Sequence, residues 1–205
     1  MNVEDLKEVI TAKFDKLKVR PSCDHLSFNC PVTELVPTAI RFKDELQFDM
    51  LVDVTAVDWN KDTPRFSTVY HFLSTKTHQY IRLVVDCAND EEPEVPSLTS
   101  VFPAADWHER ETYDMFGIKF SNHPNLKRIL MWEGYPYYPL RKEFPLAGEP
   151  TELPAPDVAE VTGQSVKAAP MMGGPFFSSA GPHGSHSEPR AADQSWSEIN
   201  EKPIK

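Results

Sequence analysis

Apolar residues at the start of the chain recur at helical spacing. Val3, Leu6, Ile10, Phe14 and Leu17 alternate with charged residues, which predicts an amphipathic helix over 3–18, with Pro21 just beyond it as a stop. Leu26 to Val32 reads as a short strand. A second helix is expected from Pro37 through Ile40 to Leu46, because proline suits a first helical turn. The pattern then shortens its period. Met50–Trp59 is rich in Val and Thr, and Arg65–Thr75 contains the β-forming run STVYHFLST. Tyr80–Asp86 alternates, with Ile81, Leu83 and Val85 on one face and Tyr80, Arg82 and Asp86 on the other. Short polar links between these three runs predict hairpins and an antiparallel meander.

The acidic, proline-bearing stretch ANDEEPEVPS reads as an exposed loop, and Ser97 as the N-cap of a helix carrying Leu98, Val101 and Phe102 that ends or kinks at Pro103. A further helical stretch, DWHERETYDMFG, stops at Gly117, the residue type that accepts a left-handed helix end. The order α-β-α-β-β-β-α predicts an α+β fold, a mostly antiparallel β-sheet with helices packed on one face. From Pro145 onward lie nine of the nineteen prolines and six of the eight glycines, without a sustained period of either kind. The expected organisation is therefore one domain over 1–146 and an extended or disordered tail over 147–205. Met171, Met172, Phe176, Phe177 and Trp196 argue that this tail lies along a partner, since a free tail offers them no burial.

Composition narrows the function. A formal net charge of -10 disfavours nucleic-acid binding, which needs clustered Lys and Arg, and gives no polybasic signal for an anionic membrane. Cys23, Cys30 and Cys87 contain no C-x-x-C pair, so neither a disulfide framework nor a four-thiolate cluster is expected. No apolar run approaches the roughly 20 residues that span a bilayer, and the acidic, amphipathic N-terminus is unlike a secretory signal. Membrane association is expected only through something else.

Chemistry-bearing residues concentrate between Asp106 and Leu146. His108, Glu109, Glu111 and His123 are the candidates for a freestanding acid–base or metal-dependent enzyme. H-E-R-E is not H-E-x-x-H, however, and two carboxylates two positions apart on a helix diverge. No nucleophile elbow and no phosphate-cradling glycine loop occurs. Docking explains more of the pattern. Glu109, Arg110, Glu111, Asp114, His123, Pro124, Arg128 and Arg141 form the candidate partner-docking set, because arginines and carboxylates in this density fix register at an interface. Trp107, Tyr113, Phe116, Trp132, Tyr135, Tyr137 and Tyr138 supply aromatic anchors.

ERETYDMFGIKFSNHPNLKRIL resembles the signature of the C subunit of NADH-quinone oxidoreductase, the 30 kDa subunit family of respiratory complex I. The matching residues are Glu109-Arg110-Glu111, Asp114-Met115-Phe116, His123-Pro124 and Arg128-Ile129-Leu130. PSLTSVFPAADWHERE before them and PLRKEFPL after them are similar to the flanking family segments, whereas residues 131–138 depart from the usual acidic-aromatic linker. The resemblance implies a non-catalytic subunit of the peripheral arm, part of an NADH:quinone oxidoreductase (a translocase) without a catalytic centre of its own. It implies no flavin, cluster or nucleotide on this chain, with FMN, iron–sulfur clusters and quinone on partner subunits. Those partners would be chiefly the D subunit and the cluster-bearing B and I subunits, at the cytoplasmic face of the bacterial inner membrane. The corresponding subunit of a related membrane-bound hydrogenase or other-donor quinone reductase is the alternative.

Overall fold

The computed structural model describes residues 3–60 and 62–144. Residues 1–131 form one compact unit, and a second begins at Trp132. In the first unit, helix α1 (Val3–Lys13) buries Leu6 and Ile10. It stops short of the expected 18, but hydrogen bonds from Phe14 N to Ile10 O and from Leu17 N to Phe14 O carry the apolar stripe onward. Phe14 and Leu17 both reach the core. Two short strands follow, β1 (Lys18–Arg20) and β2 (Leu26–Asn29), the first of them unforeseen. A 3-10 turn at Val32–Glu34 then runs into α2 (Leu35–Leu46), which begins two residues before Pro37 and leaves the proline in the first turn.

The three predicted strands form as β3 (Met50–Asp58), β4 (Phe66–Ser74) and β5 (Gln79–Asp86), paired antiparallel as a meander. The five-stranded sheet has the order β1-β2-β5-β4-β3, with one parallel pair, β2 and β5. Register places Phe28, Leu83, Tyr70 and Val54 in one row and Ile81 beside Phe72 in the next, all on one face. Helices α1 and α2 cover that face: Phe14 meets Phe42 edge-on at 5.1 Å, and Phe42 meets Phe72 at 5.7 Å.

Two expectations between residues 88 and 103 need correction. Glu94–Pro96 is not exposed loop but strand β6, which pairs in parallel with β7 (Lys119–Ser121) and buries Val95. No helix follows Ser97. Its hydroxyl accepts from Thr99 N and donates to Glu109 Oε2, so it closes a local turn, and only single-turn bonds link Leu98 to Val101 and Phe102. Helix α3 (Ala105–Phe116) follows and ends at Gly117 with φ 75°, the left-handed conformation expected of that glycine. It lies along the outer strand of the meander, where Thr112 Oγ1 donates to Val54 O. Among the described residues no helix is long and apolar enough to cross a membrane.

In the second unit, Trp132, Tyr135, Tyr137 and Phe144 form a chain of ring contacts at 5.7, 5.8 and 5.9 Å, and Arg141 stacks on Tyr138. The expected tail, 147–205, lies outside the described residues.

Candidate docking site on the signature helix

Helix α3 carries most of the candidate residues, and its burial has a clear sidedness. Ala105, Glu109, Thr112 and Phe116 make one buried stripe at spacings of four, three and four, the inward face of a helix. Glu109 belongs to that stripe and is fully buried, whereas Glu111, two positions on, is exposed. Glu109 Oε1 accepts from Leu98 N at 2.7 Å, and Oε2 accepts from Ser97 Oγ at 2.6 Å. The carboxyl thus pins the turn before α3 to the helix itself. Burial pushes its pKa up to about 7, only partly opposed by those two hydrogen bonds, and the charge of Asp106 adds to the rise.

His123 returns from the loop after β7, as its neighbour Pro124 permits, with a side chain closed to solvent. Its Nε2 stands 3.2 Å from Asp106 O, 3.4 Å from the Asp106 carboxylate and 4.0 Å from Glu109 Oε2. Asn125 N donates to Nδ1 at 3.0 Å, which assigns the proton of the neutral ring to Nε2. His123 therefore locks the loop to the first turn of α3.

Asp114 is the second buried carboxylate of the helix. Its Oδ2 accepts from three consecutive amides, Ile129, Leu130 and Met131, at 2.7–2.9 Å. Arg128 Nη1 donates to Oδ1 at 2.6 Å and to the Asp114 carbonyl at 3.0 Å. Burial alone would raise this pKa, but the amides of Met131 and Leu130, then Arg128 and Ile129, together hold it below the usual aspartate value. The segment after His123-Pro124 is a strap closed over the end of α3.

The freestanding-enzyme set is thus dispersed. His108 faces Asp53, with Nδ1 3.3 Å from its carboxylate, and Glu111 points away from Glu109. Glu109 and His123 do approach each other, but both side chains have no exposed surface, so a substrate cannot reach them without opening the fold. Among the described residues no group of three or more His, Cys, Asp or Glu is placed to hold a metal ion.

Of the eight candidate docking residues, Glu109, Asp114, Arg128 and His123 have partners within the chain, and Arg141 faces Glu143 at 3.8 Å within the second unit. Pro124 and Glu111 are exposed, and Arg110 is half-buried. Arg110 Nε donates to Lys127 O at 3.2 Å, and its guanidinium lies over the Trp107 ring at 4.8 Å. Trp107 is 63% exposed and Leu130 60%. Sequence reasoning did not single out Ser97 as a donor to Glu109, or Thr112 as the link from the helix to β3. The spacing 105, 109, 112, 116 was the signal that Glu109 faces inward and needs donors there.

The α+β scaffold thus carries a signature helix strapped down by its own buried carboxylates, with Trp107 left exposed on its outer side. The model of the family described as respiratory-chain NADH dehydrogenase, 30 Kd subunit, matches residues 28–150, and the chain belongs to that family. The NADH-quinone oxidoreductase C 2 subunit of Rhizobium meliloti (strain 1021) is 44% identical over 129 residues, which cover 62% of this chain and 70% of that relative. The C subunit of Paramagnetospirillum magneticum is 47% identical over 128 residues, covering 62% of this chain and 63% of that one. The C subunit of Parvibaculum lavamentivorans is 51% identical over 109 residues, covering 53% and 54%. The match therefore spans between about half and 70% of the length of these relatives. Among solved structures, a trypsin-resistant fragment (1-134) of Nqo5 aligns over 62% of this chain and 100% of its own, at 26% identity and a TM-score of 0.54. An archaeal respiratory membrane complex, the membrane-bound sulfane sulfur reductase, contains a chain aligned over 69% of this one and 84% of its own. At 23% identity and a TM-score of 0.60, that likeness is one of fold.

Proposed function

We propose that this chain is the C subunit of a proton-translocating NADH-quinone oxidoreductase, a non-catalytic component that braces the quinone-reducing module of the peripheral arm. The observation that carries this reading is the family match over residues 28–150, with relatives named as the C subunit at 44–51% identity. The inward engagement of Glu109, Asp114 and Arg128 supports a structural role, because these groups hold the fold and do not face a substrate. In this reading FMN, the iron–sulfur clusters and quinone sit on partners, chiefly the D subunit and the cluster-bearing B and I subunits. The chain reaches the cytoplasmic face of the inner membrane only through them. Partner contact falls to the outward members of the signature, Arg110, Glu111 and Pro124, with Arg141 from the second unit. Residues 147–205 extend the contact along a neighbouring subunit.

Affinity purification of the tagged chain from gently solubilised membranes, scored by mass spectrometry and by flavin and iron analysis, tests the reading. Recovery of flavin- and cluster-bearing subunits with an NADH-oxidising module upholds it. Recovery with a hydrogenase module or another donor subunit redirects it to the alternative, and elution of the chain alone defeats both. Protease protection of 147–205 in the complex but not in the isolated chain is the expected outcome for the tail.

A further inference from the structure

The outward ridge of α3 is prepared for one kind of contact. Trp107 is the most exposed large apolar side chain of the described residues, and the Arg110 guanidinium lies over its ring at 4.8 Å. Arg110 Nε is fixed by the Lys127 carbonyl, so the fork cannot swing freely. Its two terminal nitrogens have no acceptor among the described residues. Leu130, itself 60% exposed, is tethered by its amide to Asp114, one helical turn beyond Arg110. A fork restrained by stacking and by one hydrogen bond loses little freedom on binding, and its open edge fits the two oxygens of a carboxylate. Trp and Arg side by side are also the residue types that dominate binding hot spots.

We propose that Trp107, Arg110 and Leu130 form a docking ridge for a partner subunit that presents a carboxylate between apolar side chains. The carboxylate bridges the terminal nitrogens of Arg110, and the apolar flanks cover Trp107 and Leu130. Charge complementarity selects this occupant. The two terminal nitrogens of the restrained Arg110 guanidinium form an open, positively charged edge, and a carboxylate matches both its charge and its two-donor geometry. A lipid surface fits less well. Anionic membranes select a cluster of about four to eight basic residues, whereas the ridge offers the single guanidinium of Arg110, followed in the chain by the exposed Glu111. The proposal rests on the assembly reading above and adds the chemistry of the contact.

The test places a photo-reactive benzoylphenylalanine at position 107 of the full chain in cells that assemble the complex, and identifies the cross-linked peptide by mass spectrometry. The expected product joins position 107 to a different subunit, within a stretch holding Asp or Glu beside apolar residues. Arg110→Gln should lower recovery of that partner by about tenfold to a hundredfold, Arg110→Lys less, and Arg110→Glu should be rescued by changing the partner carboxylate to Arg. Circular dichroism of the Arg110→Gln chain should match the wild type. No cross-link overturns the proposal. So does a cross-link to lipid, to a second copy or to another segment of this chain, or normal recovery with Arg110→Gln. Failure of the wild-type chain to recover any redox partner defeats the assembly reading instead, which separates the two.

Discussion

Glu109 and Asp114 sit five residues apart on one helix, both fully buried, yet their acidities are displaced in opposite directions. The difference lies in what each carboxylate meets. Asp114 receives three backbone amides and a guanidinium, donors that cannot turn away and of which one is a full positive charge. Glu109 receives one amide and one hydroxyl, and the charge of Asp106 stands nearby. Desolvation acts on both, and only the richer donor set overcomes it. Buried charge is thus tolerable where a strap of consecutive amides closes on it. Where the donors are few, the carboxyl moves toward its neutral form.

Removing Asp114 should break the comparison most severely. Asp114→Ala leaves the amides of Ile129, Leu130 and Met131 without their acceptor and takes the carboxylate away from Arg128, and urea unfolding should show a loss of about 3–5 kcal/mol, the range for breaking a buried pair. Next comes the pH dependence of Glu109. Its folded pKa is raised, so its contribution to stability is fully present below the unfolded value near 4.5 and is lost as pH rises through about 7. Unfolding measured from pH 5 to 8 should therefore show a decline of up to about 3 kcal/mol from this group. Glu109→Gln, which keeps an acceptor for Leu98 N and does not ionise, should flatten that decline. Asp114 has the opposite sign. Its lowered pKa gives stability that is present above the unfolded value and lost as pH falls through the folded one.

Gly117→Val should be smaller, about 2 kcal/mol, because φ 75° is a left-handed conformation that a β-branched residue adopts only with strain. A thermal melt is sufficient to read it. Ser97→Ala removes one of the two donors to Glu109 and should cost about 1 kcal/mol while raising the Glu109 pKa further, a shift visible by carboxyl NMR.

The sequence showed the parts of this arrangement that depend on local period. Alternation in Tyr80–Asp86 and the β-rich runs before it gave the meander, and Gly117 marked the helix end because few other residues accept that conformation. β6 and β7 were not readable. Each has three residues, and their parallel pairing joins Glu94 to Lys119 across the whole of α3, a contact that no local pattern encodes. The helix expected after Ser97 failed for a related reason: the Ser97 hydroxyl that would cap it is claimed by Glu109, twelve residues on. Within the docking set, residue types alone could not separate Glu109 from Glu111. Helical phase relative to Ala105, Thr112 and Phe116 does separate them, since it fixes which carboxylate meets the core.

The buried half of the signature belongs to the fold of this chain, and the proposed assembly leaves only the outer ridge to partners. Amide hydrogen exchange at Ile129, Leu130 and Met131 in the isolated full-length chain tests it most directly. The account predicts slow exchange at all three without any partner, and its loss in Asp114→Ala. Fast exchange in the isolated chain, slowed only on assembly, would make the strap a product of docking and Asp114 an interface residue.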